Sequence, residues 1–193
     1  MNGLVAATAV AFGAIFVAEM GDKSQLMALT FATRFRAVSV LVGISIATAL
    51  VHAVSVGVGA ILQVSLPTRV INIAAGVLFL GFGAWTLRGD TLTEAERAKA
   101  ERTGGRGAVV TASTAFFLAE LGDKTMLATI TLATTYAPLG VWIGSTVGMV
   151  AADALAIFVG RVLGTRLPQR AVRIGAAGLF FAFGVGLVVD GLL

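Results

Sequence analysis

The chain has 193 residues, of which 58% are hydrophobic and 12% are charged, and its mean hydropathy is +0.96. Soluble domains are about 45–50% apolar and about 25% charged, so this composition excludes an ordinary soluble domain and indicates an integral membrane protein. The isoelectric point near 10.3 does not indicate a nucleic-acid partner, because the basic residues lie in short segments between apolar stretches. The chain has no cysteine, which excludes disulfides and thiolate metal sites.

Apolar stretches longer than the roughly 20 residues needed to cross a bilayer recur along the chain. The first one lacks a basic n-region and contains charged residues, so we expect a retained span and not a cleaved signal peptide. We predict an all-α fold with six transmembrane helices. Their approximate bounds are 3–33, 37–64, 70–87, 108–136, 139–163 and 171–193. Pro67 and Pro168 are expected to form turns.

The expected organisation is a first three-helix repeat over 1–88, a charged cytoplasmic linker over 89–107, and a second three-helix repeat over 108–193. The alternating charges of 93–102 predict a short exposed helix in the linker. The two halves align without a gap at an offset of 101 residues over about 70 positions, which indicates an internal duplication. Matched positions include Phe16 and Phe117, Gly43 and Gly144, Pro67 and Pro168, and Arg69 and Arg170.

Because each half has three spans, the second half must enter the membrane in the opposite sense. The loops on one side of the predicted topology carry 11 Lys and Arg residues, and those on the other side carry only Arg69. The positive-inside rule then predicts that the 11 are cytoplasmic and that both termini are outside. Inverted repeats with a binding site at their interface are typical of secondary transporters.

Two charged clusters interrupt the apolar spans at the same offset, EMGDKS at 19–24 and ELGDKT at 120–125. On a helix, positions i, i+3 and i+4 share a face, so Glu19, Asp22 and Lys23 are expected to point the same way. The same argument applies to the second cluster. Gly21 and its counterpart weaken the helix and permit a bend. Ionisable residues inside a membrane usually mark an ion or proton path.

The charges of the two clusters indicate the ligand. Four carboxylates and two lysines leave a net charge of about −2, which one divalent cation would neutralise. Carboxylate and hydroxyl oxygens suit Ca²⁺, Mn²⁺ and Mg²⁺. An empty site of clustered carboxylates would hold protons, so cation/proton exchange follows. We therefore predict the metal-binding residues Glu19, Asp22, Glu120 and Asp123, and the supporting residues Lys23, Ser24, Gln25, Lys124 and Thr125.

A structural alternative is that Glu19–Lys23 and Glu120–Lys124 are ion pairs that only join helices. Two copies in opposite halves, each with an additional aspartate, argue against it. His52 and Asp153 occupy equivalent mid-span positions at the same offset. Either residue is a buried polar group bonded to a neighbouring helix, or it serves as a proton relay or an auxiliary ligand.

With its doubled Glu-x-Gly-Asp-Lys-Ser/Thr motif, the sequence resembles the Gdt-type cation exchangers, which include Golgi manganese/calcium transporters and bacterial manganese exporters. The resemblance covers essentially the whole chain. It implies that the acidic residues of both motifs bind the cation and that Mn²⁺, with Ca²⁺ as a second candidate, leaves the cytoplasm in exchange for protons. The second motif has Met126 where the first has Gln25, which leaves the half-sites chemically unequal.

The resulting prediction is a multi-pass transporter of the plasma (inner) membrane that works by alternating access and is not an enzyme, since the sequence offers no nucleophile–base pair. Its expected partners are the divalent cation as substrate, protons and the lipid bilayer, with no bound cofactor; a homodimer stays open. The alternatives are an exporter of a cationic amino acid, whose ammonium group the carboxylates would bind, and a non-transporting membrane assembly protein.

Overall fold

The computed structural model describes residues 2–88, 107–163 and 169–193, and all regular secondary structure in these residues is α-helical. The described residues form eight helices, which are α1 Asn2–Glu19, α2 Lys23–Arg34, α3 Ala37–Ser65, α4 Thr68–Arg88, α5 Ala108–Glu120, α6 Lys124–Ala133, α7 Pro138–Leu163 and α8 Gln169–Leu192. The predicted linker helix over 93–102 and the turn at Pro168 lie outside the described residues. A bend at Leu66 and Pro67 separates α3 from α4, as predicted.

Four of these helices are long and apolar enough to cross a membrane: α3, α4, Pro138–Gly160 of α7 and Ile174–Leu192 of α8. The pair α1 and α2 passes the same test as a fifth span, but it is bent by 74° at the break between its helices. The protein is therefore a multi-pass helical membrane protein, with four or five candidate spans in the residues that the structure describes. The prediction of a continuous helical face through each charged motif was wrong, because a break falls within the motif in both halves.

Both breaks have the same local cause. Gly21 and Gly122 have φ angles of 76° and 80°, in the left-handed region that glycine adopts without a steric penalty. The next residue, Asp22 or Asp123, is extended and is the N-cap of the helix that follows. Aspartate is a favoured N-cap because its carboxylate can accept hydrogen bonds from the first backbone N–H groups. The sequence Gly-Asp thus ends one helix and starts another.

Helix α7 runs beside both parts of the first broken pair. A Cβ atom added at Gly144 would meet the carbonyl oxygen of Thr8 in α1, and one added at Gly160 would meet the side chain of Leu29 in α2. Since the residue numbers rise together, α7 runs in the same direction as α1 and α2. Close approach at glycine is typical of packed membrane helices.

Helix α3 runs beside the second broken pair in the equivalent way. A Cβ atom at Gly43 would meet Ala112 in α5, and one at Gly59 would meet the carbonyl oxygen of Ile130 in α6. Helices α3 and α7 therefore each pack along the broken pair of the other half and in the same direction. This exchange of contacts brings the two breaks together at the interface between the halves.

Helices α4 and α8 pack against each other in opposite directions. The Asn72 Nδ2 group near the start of α4 donates a hydrogen bond to Asp190 Oδ2 near the end of α8, at 2.6 Å. Further along, the ring centroids of Phe79 and Phe180 lie 5.8 Å apart. Residue numbers rise along one helix as they fall along the other, so α4 and α8 are antiparallel.

Candidate functional site

The acidic residues of both motifs meet at the two helix breaks. Carboxylate oxygens of Glu19, Glu120 and Asp123 all lie within 4.8 Å of one another. Glu19 ends α1, Glu120 ends α5, and Asp123 caps α6, so the group draws on both halves of the chain. The three residues are at most 5% exposed. Such a group of oxygens has the size and chemistry of a site for a hard divalent cation.

Each of these three carboxylates has one oxygen without a hydrogen-bond partner in the described part of the chain, namely Glu19 Oε1, Glu120 Oε1 and Asp123 Oδ2. An unpaired carboxylate oxygen in a protein interior is costly. Like charges also repel here, since Glu19 lies within electrostatic range of Glu120, Asp22 and Asp153. A cation or protons would relieve both the missing partners and the repulsion.

Two lysines cross between the halves to pair with aspartates. The Lys124 ammonium group binds the Asp22 carboxylate, and both side chains are at most 3% exposed. The Lys23 ammonium group lies 3.4 Å from Asp123 Oδ1, and its side chain is 22% exposed. The alternative of Glu–Lys ion pairs within each motif is not what these contacts show, because the helix breaks turn each lysine toward the aspartate of the other half.

The hydroxyl groups of the motifs bind the glutamates. Ser24 Oγ donates a hydrogen bond to Glu19 Oε2, and Thr125 Oγ1 donates one to Glu120 Oε2 at 2.9 Å. Each hydroxyl therefore binds one glutamate oxygen, and the other oxygen of each glutamate, Oε1, has no hydrogen-bond partner among the described residues. The predicted supporting residues Ser24 and Thr125 thus lie in the site and orient its acids.

Gln25 and Met126 hold the two breaks. Gln25 Oε1 accepts a hydrogen bond from the Gly21 N–H at 2.9 Å, and Met126 Sδ accepts one from the Gly122 N–H at 3.2 Å. Gln25 also donates from Nε2 to the carbonyl oxygen of Ala152 in α7, at 3.0 Å. The chemical difference between the half-sites thus lies in the groups that stabilise the breaks.

His52 and Asp153 are both fully buried. Neither nitrogen of His52 and neither carboxylate oxygen of Asp153 has a hydrogen-bond partner among the described residues. Asp153 lies close enough to Asp22, Glu19 and Glu120 to interact with them electrostatically, but it is not among the three residues whose oxygens converge within 4.8 Å. The alternative of a polar residue bonded to a neighbouring helix receives no support from these contacts.

Sequence reasoning did not foresee the crossed ion pairs. The available signal was the order Gly-Asp-Lys, in which a glycine that ends a helix precedes a favoured N-cap residue. Had the motif been divided at Gly21 and Gly122, the lysines would have been placed in the first turn of new helices. Their side chains would then no longer have been expected to face the glutamates of their own motifs.

A multi-pass helical protein with buried carboxylates at two helix breaks has the architecture of a membrane transporter for cations. A family model described as "Divalent cation/proton antiporter GDT1" matches residues 7–94 and 108–193. The chain belongs to this family, which is a family of transporters and not of enzymes.

Several known proteins are similar over most of the chain. "Putative manganese exporter" of Vibrio cholerae is 33% identical over 175 residues, which cover 89% of this chain and 85% of that protein. "GDT1-like protein sll0615" of Synechocystis is 34% identical over 188 residues, covering 89% and 91%. "Protein PAM71, chloroplastic" of Arabidopsis thaliana is 34% identical over 208 residues, covering 94% and 56%. No solved structure matches the chain.

Proposed function

We propose that this antiporter exports Mn²⁺ from the cytoplasm in exchange for protons, with Ca²⁺ as a second substrate. The observation that carries the proposal is the convergence of Glu19, Glu120 and Asp123, whose carboxylate oxygens lie within 4.8 Å of one another. Hard divalent cations prefer such oxygen ligands. The Vibrio cholerae relative, "Putative manganese exporter", supports manganese within this group of ions.

In the proposed mechanism Glu19, Asp22, Glu120 and Asp123 bind the cation, and Ser24 and Thr125 orient the two glutamates. Lys23 and Lys124 neutralise the aspartates when the cation is absent. Protons that enter the empty site from the far side would replace the cation charge on the remaining acids, which couples the two fluxes. The proton-relay role predicted for His52 and Asp153 stays a prediction.

We further propose six spans arranged as two inverted repeats, 1–88 and 108–193, with 89–107 as the linker. Support comes from α7, whose 26 residues are about 39 Å long and which contacts α1 and then α2 without turning back. A broken pair that follows a membrane-spanning helix in this way crosses the membrane with it. The same contacts of α3 with α5 and α6 support a span over the second pair.

The directions of packing support the inversion. Six successive spans require the fifth to run with the first, the second with the fourth, and the third against the sixth. These are the relations observed for α7 with α1, for α3 with α5, and for α4 with α8. We propose that the linker is cytoplasmic and both termini are outside, as the positive-inside rule predicts for the plasma membrane.

The test is transport by the purified full chain in proteoliposomes, with Mn²⁺, Ca²⁺ and lysine offered separately and internal pH recorded. We expect uptake of Mn²⁺ with an opposite proton movement, and slower uptake when the pH gradient is removed. The variants Asp22→Asn and Asp123→Asn should lose most of this uptake. Uptake of lysine without uptake of either metal would support the cationic amino-acid alternative instead.

A further inference from the structure

Asp153 lies outside both motifs, yet the structure places it with their acids. It is in the middle of α7, and its side chain has no measurable exposure. Both of its oxygens lack a hydrogen-bond partner among the described residues. A carboxylate in this condition is costly unless another state of the protein gives it a counter-charge or a proton.

One hydrogen bond and one electrostatic interaction relate Asp153 to the first motif. The Gln25 amide donates to the carbonyl oxygen of Ala152, the residue immediately before it, which ties α7 to the start of α2. Asp22 caps that same end of α2 and repels Asp153 electrostatically. Asp153 and Asp22 therefore face the same region of the site.

Asp22 shows what kind of ligand this region accepts. Its carboxylate binds the buried ammonium group of Lys124, which is a cation supplied by the protein itself. The group formed by Glu19, Glu120 and Asp123 also has a lysine at its edge, since the Lys23 ammonium group lies 3.4 Å from Asp123 Oδ1, but that lysine is 22% exposed. The site thus has one region where three carboxylates converge and one region, at Asp22, where a buried ammonium group binds.

We propose that Asp153 and Asp22 form a second position for the transported cation, adjacent to the position formed by Glu19, Glu120 and Asp123. In this conformation the Lys124 ammonium group occupies the Asp22 side of the second position. When the cation moves there, it displaces Lys124 and gives Asp153 the counter-charge that it lacks. The inference rests on the proposed transport function and adds a ligand from α7 to the acids of the two motifs.

The experiment compares wild type with Asp153→Asn and Asp153→Glu in detergent, and Mn²⁺ binding is measured at constant pH by the loss of the electron paramagnetic resonance signal of free Mn²⁺. We expect Asp153→Asn to weaken the apparent affinity about tenfold or more, as removal of a residue that supports a metal typically does. Asp153→Glu keeps the charge and should remain within about threefold of wild type. The same order is expected for the KM of Mn²⁺ uptake in proteoliposomes.

Asp190→Asn is the matched control, because it makes the same chemical change at a carboxylate that hydrogen-bonds Asn72 outside the site. It should bind and transport as wild type does. Unchanged Mn²⁺ affinity in Asp153→Asn would overturn the inference, and loss of transport with unchanged affinity would assign Asp153 to proton movement instead. If Asp153→Asn does not fold, Asp153→Glu is tested alone. A folded Asp153→Glu protein that binds Mn²⁺ more than tenfold more weakly than wild type would count against the role proposed for the charge of residue 153. Wild type that binds no divalent cation would refute the proposed function itself.

Discussion

Replacing Lys124 with methionine tests whether the crossed ion pairs hold the two halves together. The substitution keeps the length of the side chain but removes the ammonium group that binds Asp22. Side chains of this pair are 3% and 0% exposed, so Asp22 would remain as a buried charge. Removing one partner of a buried pair costs about 3–5 kcal/mol. This corresponds to a roughly 10²- to 10⁴-fold change in the equilibrium constant for unfolding.

The chain supplies its own comparison in Lys23. Its distance to Asp123 Oδ1 is 3.4 Å and its side chain is 22% exposed, so water can replace part of the lost interaction, although the Asp123 side chain is only 4% exposed. For Lys23→Met we therefore expect a smaller loss than for Lys124→Met, because removing one partner costs more in a fully buried pair than in a partly exposed one. Both variants remove one positive charge from an equivalent position, and the two pairs differ in burial and in contact distance.

The assay is unfolding in mixed micelles with increasing dodecyl sulfate, followed by the fluorescence of the two tryptophans. The double variant Asp22→Asn/Lys124→Met should recover most of the stability lost in Lys124→Met, because no buried charge is then left without its partner. Equal losses in Lys23→Met and Lys124→Met would refute the reasoning. So would a double variant that is no more stable than Lys124→Met alone.

Three further predictions use the same unfolding assay. Gly122→Ala should cost about 1–2 kcal/mol from the left-handed backbone alone, since an added Cβ there meets nothing within 4 Å. Gln25→Leu should cost about 1–3 kcal/mol by leaving the Gly21 N–H unsatisfied, whereas Gln25→Met, which copies the other half, should keep most of the stability. Gly144→Ala should cost about 1–3 kcal/mol by overpacking, and Gly186→Ala, with open space around it, should change stability by less than about 0.5 kcal/mol.

The sequence was sufficient to predict the position and length of the long, uniformly apolar helices. The predicted bounds of 37–64 and 139–163 agree with Ala37–Ser65 and Pro138–Leu163 to within one residue at each end. An apolar helix of this length crosses a bilayer, and this single physical requirement can be recognised from the composition of the segment alone. Gly144 and Gly148 both pack against α1, as is typical of small residues in contacts between membrane helices.

The site was harder to predict, because its geometry depends on backbone conformation at two residues. A helical reading places Glu19 and Lys23 on one face, but the left-handed conformation of Gly21 turns α2 away and sends the lysine toward Asp123. Helical periodicity cannot predict such a turn, because it assumes that the helix is continuous. The acids still converge, since α3 and α7 each pack along the broken pair of the other half, and that contact is set by the tertiary fold.

The crossed pairs have a consequence for the proposed alternating access. The two motifs are nearly identical in sequence, yet Lys124 is buried against Asp22 while Lys23 is partly exposed beside Asp123. In transporters made of inverted repeats, alternating access is largely a rocking or gating of one repeat against the other around a fixed site. If the two motifs exchange environments in this movement, the opposite conformation would bury Lys23 and expose Lys124. Because each lysine pairs with an aspartate of the other half, neither half can change its pairing alone, which links closure on one side of the site to opening on the other.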